Sequence, residues 1–188
     1  MGIAVIHYPV YDKNGAIVAT SVTNLEIHDI ARTCMTFGIG LCYIVTPLAR
    51  QREIAEKLID HWLHGYGAQY NPVRGEAPKK VRIVADFDEM VRDMGNNPLI
   101  VGTSSRERSE KAIGPRELHA LTETEARPVL VIFGTGWGLT EEVVGRCERM
   151  LVPIKGKGDY NHLSLRVAIG IILDRIFGER GGHDERDN

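Results

Sequence analysis

Val129–Glu142, VLVIFGTGWGLTEE, is the stretch that decides the fold. Its first half, Val129–Phe133, is an unbroken apolar run, too short for a helix and suited to a strand buried on both faces. Its second half sets Gly134, Gly136 and Gly138 between that strand and Thr140, which precedes two glutamates and reads as a helix N-cap. Glycines at such a junction permit positive φ and let a ligand touch the backbone, while the helix start offers unpaired N–H groups. Strand, glycine loop and helix in succession form a binding loop of an α/β protein. The spacing is not the dinucleotide GxGxxG, because Leu139 stands where the third glycine belongs, and no GK[ST] follows to make a phosphate loop. The plain alternative is a glycine-rich turn followed by a cap.

Working outward, similar short apolar runs recur at Ile3–Tyr8, Leu41–Thr46, Val81–Ala85, Leu99–Thr103 and Met150–Ile154. Helical patterns at Leu25–Phe37, Leu48–Leu63, Asp86–Met94, Arg116–Thr124, Thr140–Cys147 and His162–Phe177 lie between or after them. This alternation predicts an α/β fold with a mainly parallel six-stranded sheet and helices on both faces. Residues 1–177 are expected to form a single domain, and the polar tail 178–188 is expected to be disordered. Asn14-Gly15 between short apolar pairs predicts a hairpin flap projecting after the first strand. The stretch His64–Lys80 (HGYGAQYNPVRGEAPKK) reads as a long connection in which Tyr66 and Tyr70 alternate with cations. It is either a base-stacking, phosphate-contacting loop or a solvated one with its tyrosines tucked onto the domain.

Composition bounds the function classes. The 188 residues carry 23 Lys+Arg against 25 Asp+Glu, a net charge of −2, so no global basic coat announces nucleic acid. Cys34, Cys42 and Cys147 are odd in number and lack CxxC spacing, which excludes a disulfide framework and reads as buried thiols in a reducing compartment. With no signal-like N-terminus and no apolar stretch of membrane-spanning length, the chain is expected in the cytoplasm and away from membranes. No metal site is expected: His61 and His64 share a helix without an evident third ligand and read as exposed.

Two further loops leave predicted strands in the same sense as the glycine loop, one through Thr103 and Ser104, the other through Leu151, Pro153 and Ile154. In an open parallel sheet the ligand crevice lies beyond the carboxyl ends of the strands, so the three loops converge there. Asp159, Tyr160, Asn161, His162 and Ser164 crowd the start of the last helix, more proton-handling groups than capping requires. Glu26, Asp29 and Arg32 sit at helical spacing on the first predicted helix.

FGTGWGLT (133–140), then LVPIKG (151–156), then YNHLSLRVAIGI (160–171) resemble the three C-terminal motifs of the SPOUT superfamily of S-adenosylmethionine (SAM)-dependent RNA methyltransferases. HDIARTCMTFG (28–38) resembles the N-terminal motif, and the HYPV and TNLEIHDIAR opening is most similar to the small stand-alone group described as tRNA (guanine-N1-)-methyltransferase-like. The resemblance spans nearly the whole chain with its motifs in order. It implies a C-terminal deep trefoil knot around Leu151–Ser164, SAM as cofactor, RNA (tRNA or rRNA) as partner and a homodimer whose pocket is completed across the interface. The implied cofactor-binding residues are Thr103, Ser104, Gly134, Thr135, Gly136, Trp137, Leu151, Pro153, Ile154, Asn161, Leu163 and Ser164. The implied catalytic residues are Arg32, reaching the acceptor nucleotide, Asp159 as first candidate base and His162 as second.

The ribose-methylating version of the first motif has Asn-x-Gly before the arginine. Glu26-Ile27-His28 stands here, which tilts the expectation toward base methylation such as guanine N1 over ribose 2′-O. RNA recognition is expected from the flap, the His64–Lys80 loop, Arg106, Arg108 and Lys111, or from a second protein. A non-catalytic SAM- and RNA-binding protein of the same fold is the alternative, and a nucleotide-binding oxidoreductase fits the α/β alternation alone.

Overall fold

Residues buried on alternating sides of every central strand make this sheet. In the computed structural model, which describes residues 1–108, 111–158 and 160–178, the first strand β1 (Gly2–Ile6) is buried at all five positions. Ile3 and Val5 face one apolar cluster, and Ala4 and Ile6 face the other. The same alternation holds in β4 (Leu41–Val45) and β8 (Val129–Gly134), which flank β1 in parallel register. Side-chain period 2 with both faces apolar is what a parallel sheet covered on two sides demands.

The sheet has seven strands in the order β5-β4-β1-β8-β6-β9-β7 and every pairing is parallel, with β5 at Val81–Val84, β6 at Leu99–Gly102, β7 at Ala112–Ile113 and β9 at Arg149–Leu151. The predicted six strands are all present. The seventh, β7, spans two residues, too few to show a period, and exists because Ala112 and Ile113 register against Met150 and Leu151. The separate hairpin β2 (Val10–Tyr11) and β3 (Ile17–Val18) confirms the Asn14-Gly15 turn, whose Gly15 has φ +80° and whose Asp12 carboxylate accepts from the Asn14 and Ala16 amides.

One face of the sheet is covered by α1 (Asn24–Thr36), α6 (Pro115–Thr124) and α8 (Leu165–Phe177), the other by α5 (Phe87–Met94) and α7 (Glu141–Gly145). Helix α1 starts on a reciprocal cap: Thr23 accepts from the Glu26 amide while the Glu26 carboxylate accepts from the Thr23 N–H at 2.7 Å. Two expectations are corrected here. The last helix begins at Leu165, three residues later than its apolar pattern suggested, because Ser164 takes the N-cap position. His64–Lys80 is not a loop: after α2 (Ala49–Leu63) it folds into α3 (Tyr66–Tyr70), α4 (Pro72–Gly75) and a 3-10 turn (Ala77–Lys80). Asn71 caps α4, with Pro72 at its first position, an N-terminus signal inside a stretch rich in breakers. Of the predicted tail, residues from 179 onward lie outside the described ones.

The three cysteines are free and buried. One close approach gives a direct test of packing. A Cβ on Gly102 would meet Met150 Sδ at 2.5 Å and Cys147 Sγ at 2.8 Å. Gly102→Ala is therefore expected to destabilise the protein by about 1–3 kcal/mol through overpacking of the β6–β9 junction, read as a shifted urea midpoint with unchanged slope.

Candidate functional site

Chain direction places the site. The chain runs from β1 outward to β4 and β5, then crosses to β6 on the far side of β8, so its direction of travel reverses beside β1 and β8. Such switch points open a crevice beyond the carboxyl ends of the strands. A cleft of about 650 Å³ lies there, lined by the loops that follow β6, β8 and β9. That volume is within the range of small-molecule and cofactor sites.

The glycine loop is shaped by its lack of side chains. A Cβ on Gly134 would lie 2.6 Å from the Leu139 backbone nitrogen, and one on Gly136 (φ +57°) would lie 2.7 Å from the Tyr11 carbonyl. The hairpin does not project, as expected from sequence, but folds back onto this loop: Tyr11 N–H donates to Gly138 O and Trp137 N–H donates to Tyr11 O, both at 2.9 Å. Val10 bridges Leu139, and the Tyr11 hydroxyl accepts from the Glu141 N–H at the start of α7. The flap thus acts as a clamp that pins the glycine loop from outside the sheet.

The other two loops are tied to this one and to each other. The Thr103 hydroxyl donates to the Ile132 carbonyl of β8 at 3.0 Å. Arg108 holds Glu141 through two bonds of 2.9 and 2.6 Å, which pushes the Glu141 pKa below the usual carboxylate range. Lys155 pairs with Glu107 at 2.9 Å, and Asn161 Nδ2 donates to the Ser105 carbonyl at 2.8 Å, drawing the segment after β9 against the segment after β6.

All twelve residues singled out for cofactor binding line this one cleft: Thr103, Ser104, Gly134, Thr135, Gly136, Trp137, Leu151, Pro153, Ile154, Asn161, Leu163 and Ser164. His162 lines it too and meets Tyr160 edge-on at 5.6 Å. Asp159 lies outside the described residues. Arg32 stands on the exposed surface of α1 and is not among the lining residues, whereas Glu26, six residues earlier on the same helix, is. Asp29, between them, pairs with Arg166 of α8. His64 pairs with Asp60, and no cluster of metal-ligating side chains occurs among the described residues.

Sequence reasoning missed Tyr11, Glu26 and His7. Glu26 was visible only as a helix-face acid. His7, immediately beyond β1, is fully buried. Thr135 donates its hydroxyl proton to the Ile6 carbonyl, so Thr20 donates to Thr135 and accepts from His7 Nδ1–H at 2.9 Å. His7 Nε2 is left as a buried lone pair without a partner. This chain links the flap, β1 and the glycine loop. Burial lowers the His7 pKa below 6.5, against the opposing pull of Glu26. As pH falls, the unfolded chain takes up this proton first, so the network's contribution is complete above about pH 6.5 and is lost as pH drops toward the folded pKa. His7→Asn is expected to flatten the fall of Tm between about pH 7.5 and 5. Part of the slope stays, because burial also lowers the pKa of His28. An unchanged slope would show that His7 does not titrate on unfolding.

The comparisons with known proteins agree with this geometry. Residues 1–178 match the family model described as SAM-dependent RNA methyltransferase. A tRNA (guanine-N(1)-)-methyltransferase of Nitratidesulfovibrio vulgaris is 42% identical over 180 residues, 94% of this chain and 41% of that protein. The chain thus spans about two fifths of the length of that relative. An uncharacterised protein of Aquifex aeolicus is 39% identical over 93% of this chain and 87% of its own length. Among solved structures, a probable methylase family protein from Haemophilus influenzae superposes with a TM-score of 0.62 at 25% identity, covering 93% of this chain and 64% of that one. The chain belongs to the SAM-dependent RNA methyltransferase family, with the fold of the SpoU-type enzymes.

Proposed function

We propose that this protein transfers the methyl group of SAM to RNA, with tRNA or rRNA as substrate and a base position such as guanine N1 favoured over a ribose 2′-hydroxyl. The observation that carries the reading is the convergence of three loops, from three separate strands, on one cleft at the switch point. The name of the Nitratidesulfovibrio relative supports tRNA and guanine N1, and Glu26-Ile27-His28 in place of Asn-x-Gly counts against ribose 2′-O transfer.

The residues present fit the cofactor. Leu151, Pro153 and Ile154 supply an apolar wall for adenine, and the backbone of Gly134 and Gly136, which lines the same cleft, would lie beneath ribose and methionine. When bound, SAM supplies a methyl group already activated by its sulfonium. The chain's own part is to hold the acceptor in line and take its proton. For guanine N1 that proton goes to a carboxylate or an imidazole: Asp159 is the first candidate, and His162, in the cleft wall, the second. Trp137, 64% exposed at the cleft, is placed to cover a ligand.

The same reading includes a homodimer and a knot. Leu25, Leu163 and Val167 stay 58, 45 and 49% exposed on or beside α1 and α8, apolar surface that a second copy would cover. The segment Leu151–Ser164, tied to the β6 loop through Asn161, is the stretch that would thread to form the knot. The cytoplasm, expected from three unpaired cysteines, remains part of the proposal.

Calorimetry with SAM and transfer of labelled methyl groups to bulk tRNA and rRNA test the reading. His162→Ala is expected to lower transfer by about 10²-fold, the loss that removing a general base produces. Tight SAM binding with no transfer to any RNA pool would make this a non-catalytic cofactor- and RNA-binding protein.

A further inference from the structure

The stretch 64–80 leaves an aromatic and cationic surface that the cleft does not use. Gly67 lets α3 lie flush on α2: a Cβ there would sit 2.8 Å from the Trp62 ring. With α3 so seated, Tyr66 and Tyr70, four residues apart, stack on each other at 6.0 Å and 25° and stand 69 and 75% exposed. They are therefore not tucked onto the domain. Beside them the Arg74 guanidinium lies 4.5 Å over the Trp62 ring, and Trp62 Nε1 donates to His28 Nε2 of α1 at 3.2 Å.

Among the described residues Arg74 has no carboxylate within salt-bridge distance. Two exposed, mutually stacked rings with the Arg74 guanidinium on the neighbouring turn match the chemistry of an unpaired nucleic-acid strand: rings for bases, a cation for phosphate. Helix α1 connects this surface to the cleft. His28, which accepts from Trp62, lies two residues beyond Glu26 on this helix, and Glu26 lines the cleft.

We propose that the Tyr66/Tyr70 platform with Arg74 is the docking surface for an unpaired RNA segment next to the methylated nucleotide, an inference that rests on the RNA methyl transfer proposed above. The test uses the full chain with SAM, a fluorescein-labelled oligouridine read by anisotropy, and bulk tRNA as methyl acceptor. The double variant Tyr66→Ala/Tyr70→Ala is expected to bind the oligonucleotide at least about tenfold more weakly, and Tyr66→Phe/Tyr70→Phe to bind as wild type. Arg74→Ala is expected to reduce the slope of log affinity against log salt by about 0.7. SAM affinity should not change in any of them.

Alanine variants that bind RNA like the wild type, or a wild type that binds no RNA, overturn the docking surface. So does a changed oligomeric state in light scattering with RNA affinity intact, which would assign the platform to contact between copies. The two ideas fail separately: a wild type that binds RNA but not SAM removes the methyltransferase reading, whereas wild-type transfer with an unaltered KM for tRNA in the alanine variant removes the platform alone.

Discussion

Gly134→Ala is expected to abolish SAM binding, weakening it by more than about 100-fold, or roughly 2.7 kcal/mol. The added methyl would lie 2.6 Å from the Leu139 backbone nitrogen and 2.9 Å from Leu139 Cγ. A backbone atom cannot swing aside as a side chain can, so the loop must move. Its movement is opposed by the Val10–Leu139 bridge and by the two hydrogen bonds between Tyr11 and residues 137 and 138. The strain therefore displaces the cleft wall or breaks the clamp. Either outcome disturbs the surface proposed to meet ribose and methionine.

Gly145→Ala is the matched control. It closes α7, its Cβ would meet nothing within 4 Å, and it should leave binding unchanged while gaining up to about 1 kcal/mol of helix stability. Calorimetry decides the matter, with circular dichroism to verify the fold. Gly134→Ala binding SAM within threefold of wild type would mean that this loop is not the cofactor seat.

The glycine loop was legible because its signal is local: a five-residue apolar run, three glycines and a cap in unbroken succession. The parallel sheet was legible for a related reason, since strands buried on both faces leave continuous apolar runs. What escaped notice depends on partners distant in sequence. Strand β7 is two residues that become a strand only in register with β9. The flap became a clamp because Tyr11 meets residues 137 and 138, more than a hundred positions away. His7 carries no pattern at all: its ring is buried, Thr20 meets Nδ1, and Nε2 is left without a partner. The stretch 64–80 misled in the opposite direction. Its Gly, Pro and Asn are breakers on average, yet Asn71-Pro72 is also a helix start and Gly67 a packing contact.

Arg32→Ala carries the other large effect and separates the two halves of the proposed dimer. Arg32 is exposed on α1 and outside the lining of its own cleft, so its removal leaves the cofactor seat intact and SAM affinity should not change. If Arg32 reaches the acceptor nucleotide in the partner's cleft, where it would stabilise charge in the reacting complex, transfer should fall by about 10²–10³-fold.

A mixing experiment tells whether it acts across the interface. Arg32→Ala keeps a sound cleft and lacks the arginine, while Gly134→Ala keeps the arginine and lacks the cleft. Each is inactive alone. In a mixed dimer the sound cleft of one copy receives the arginine of the other, so equal mixing should restore about one quarter of wild-type activity, half the dimers each having one working site of two. No recovery, with subunit exchange verified by differently tagged copies, would place Arg32 in service of its own cleft and remove the reason for the site to need a second copy. Recovery would also give Leu25, Leu163 and Val167, exposed on and beside α1 and α8, a partner: the surface that buries them would be the one that completes the active site.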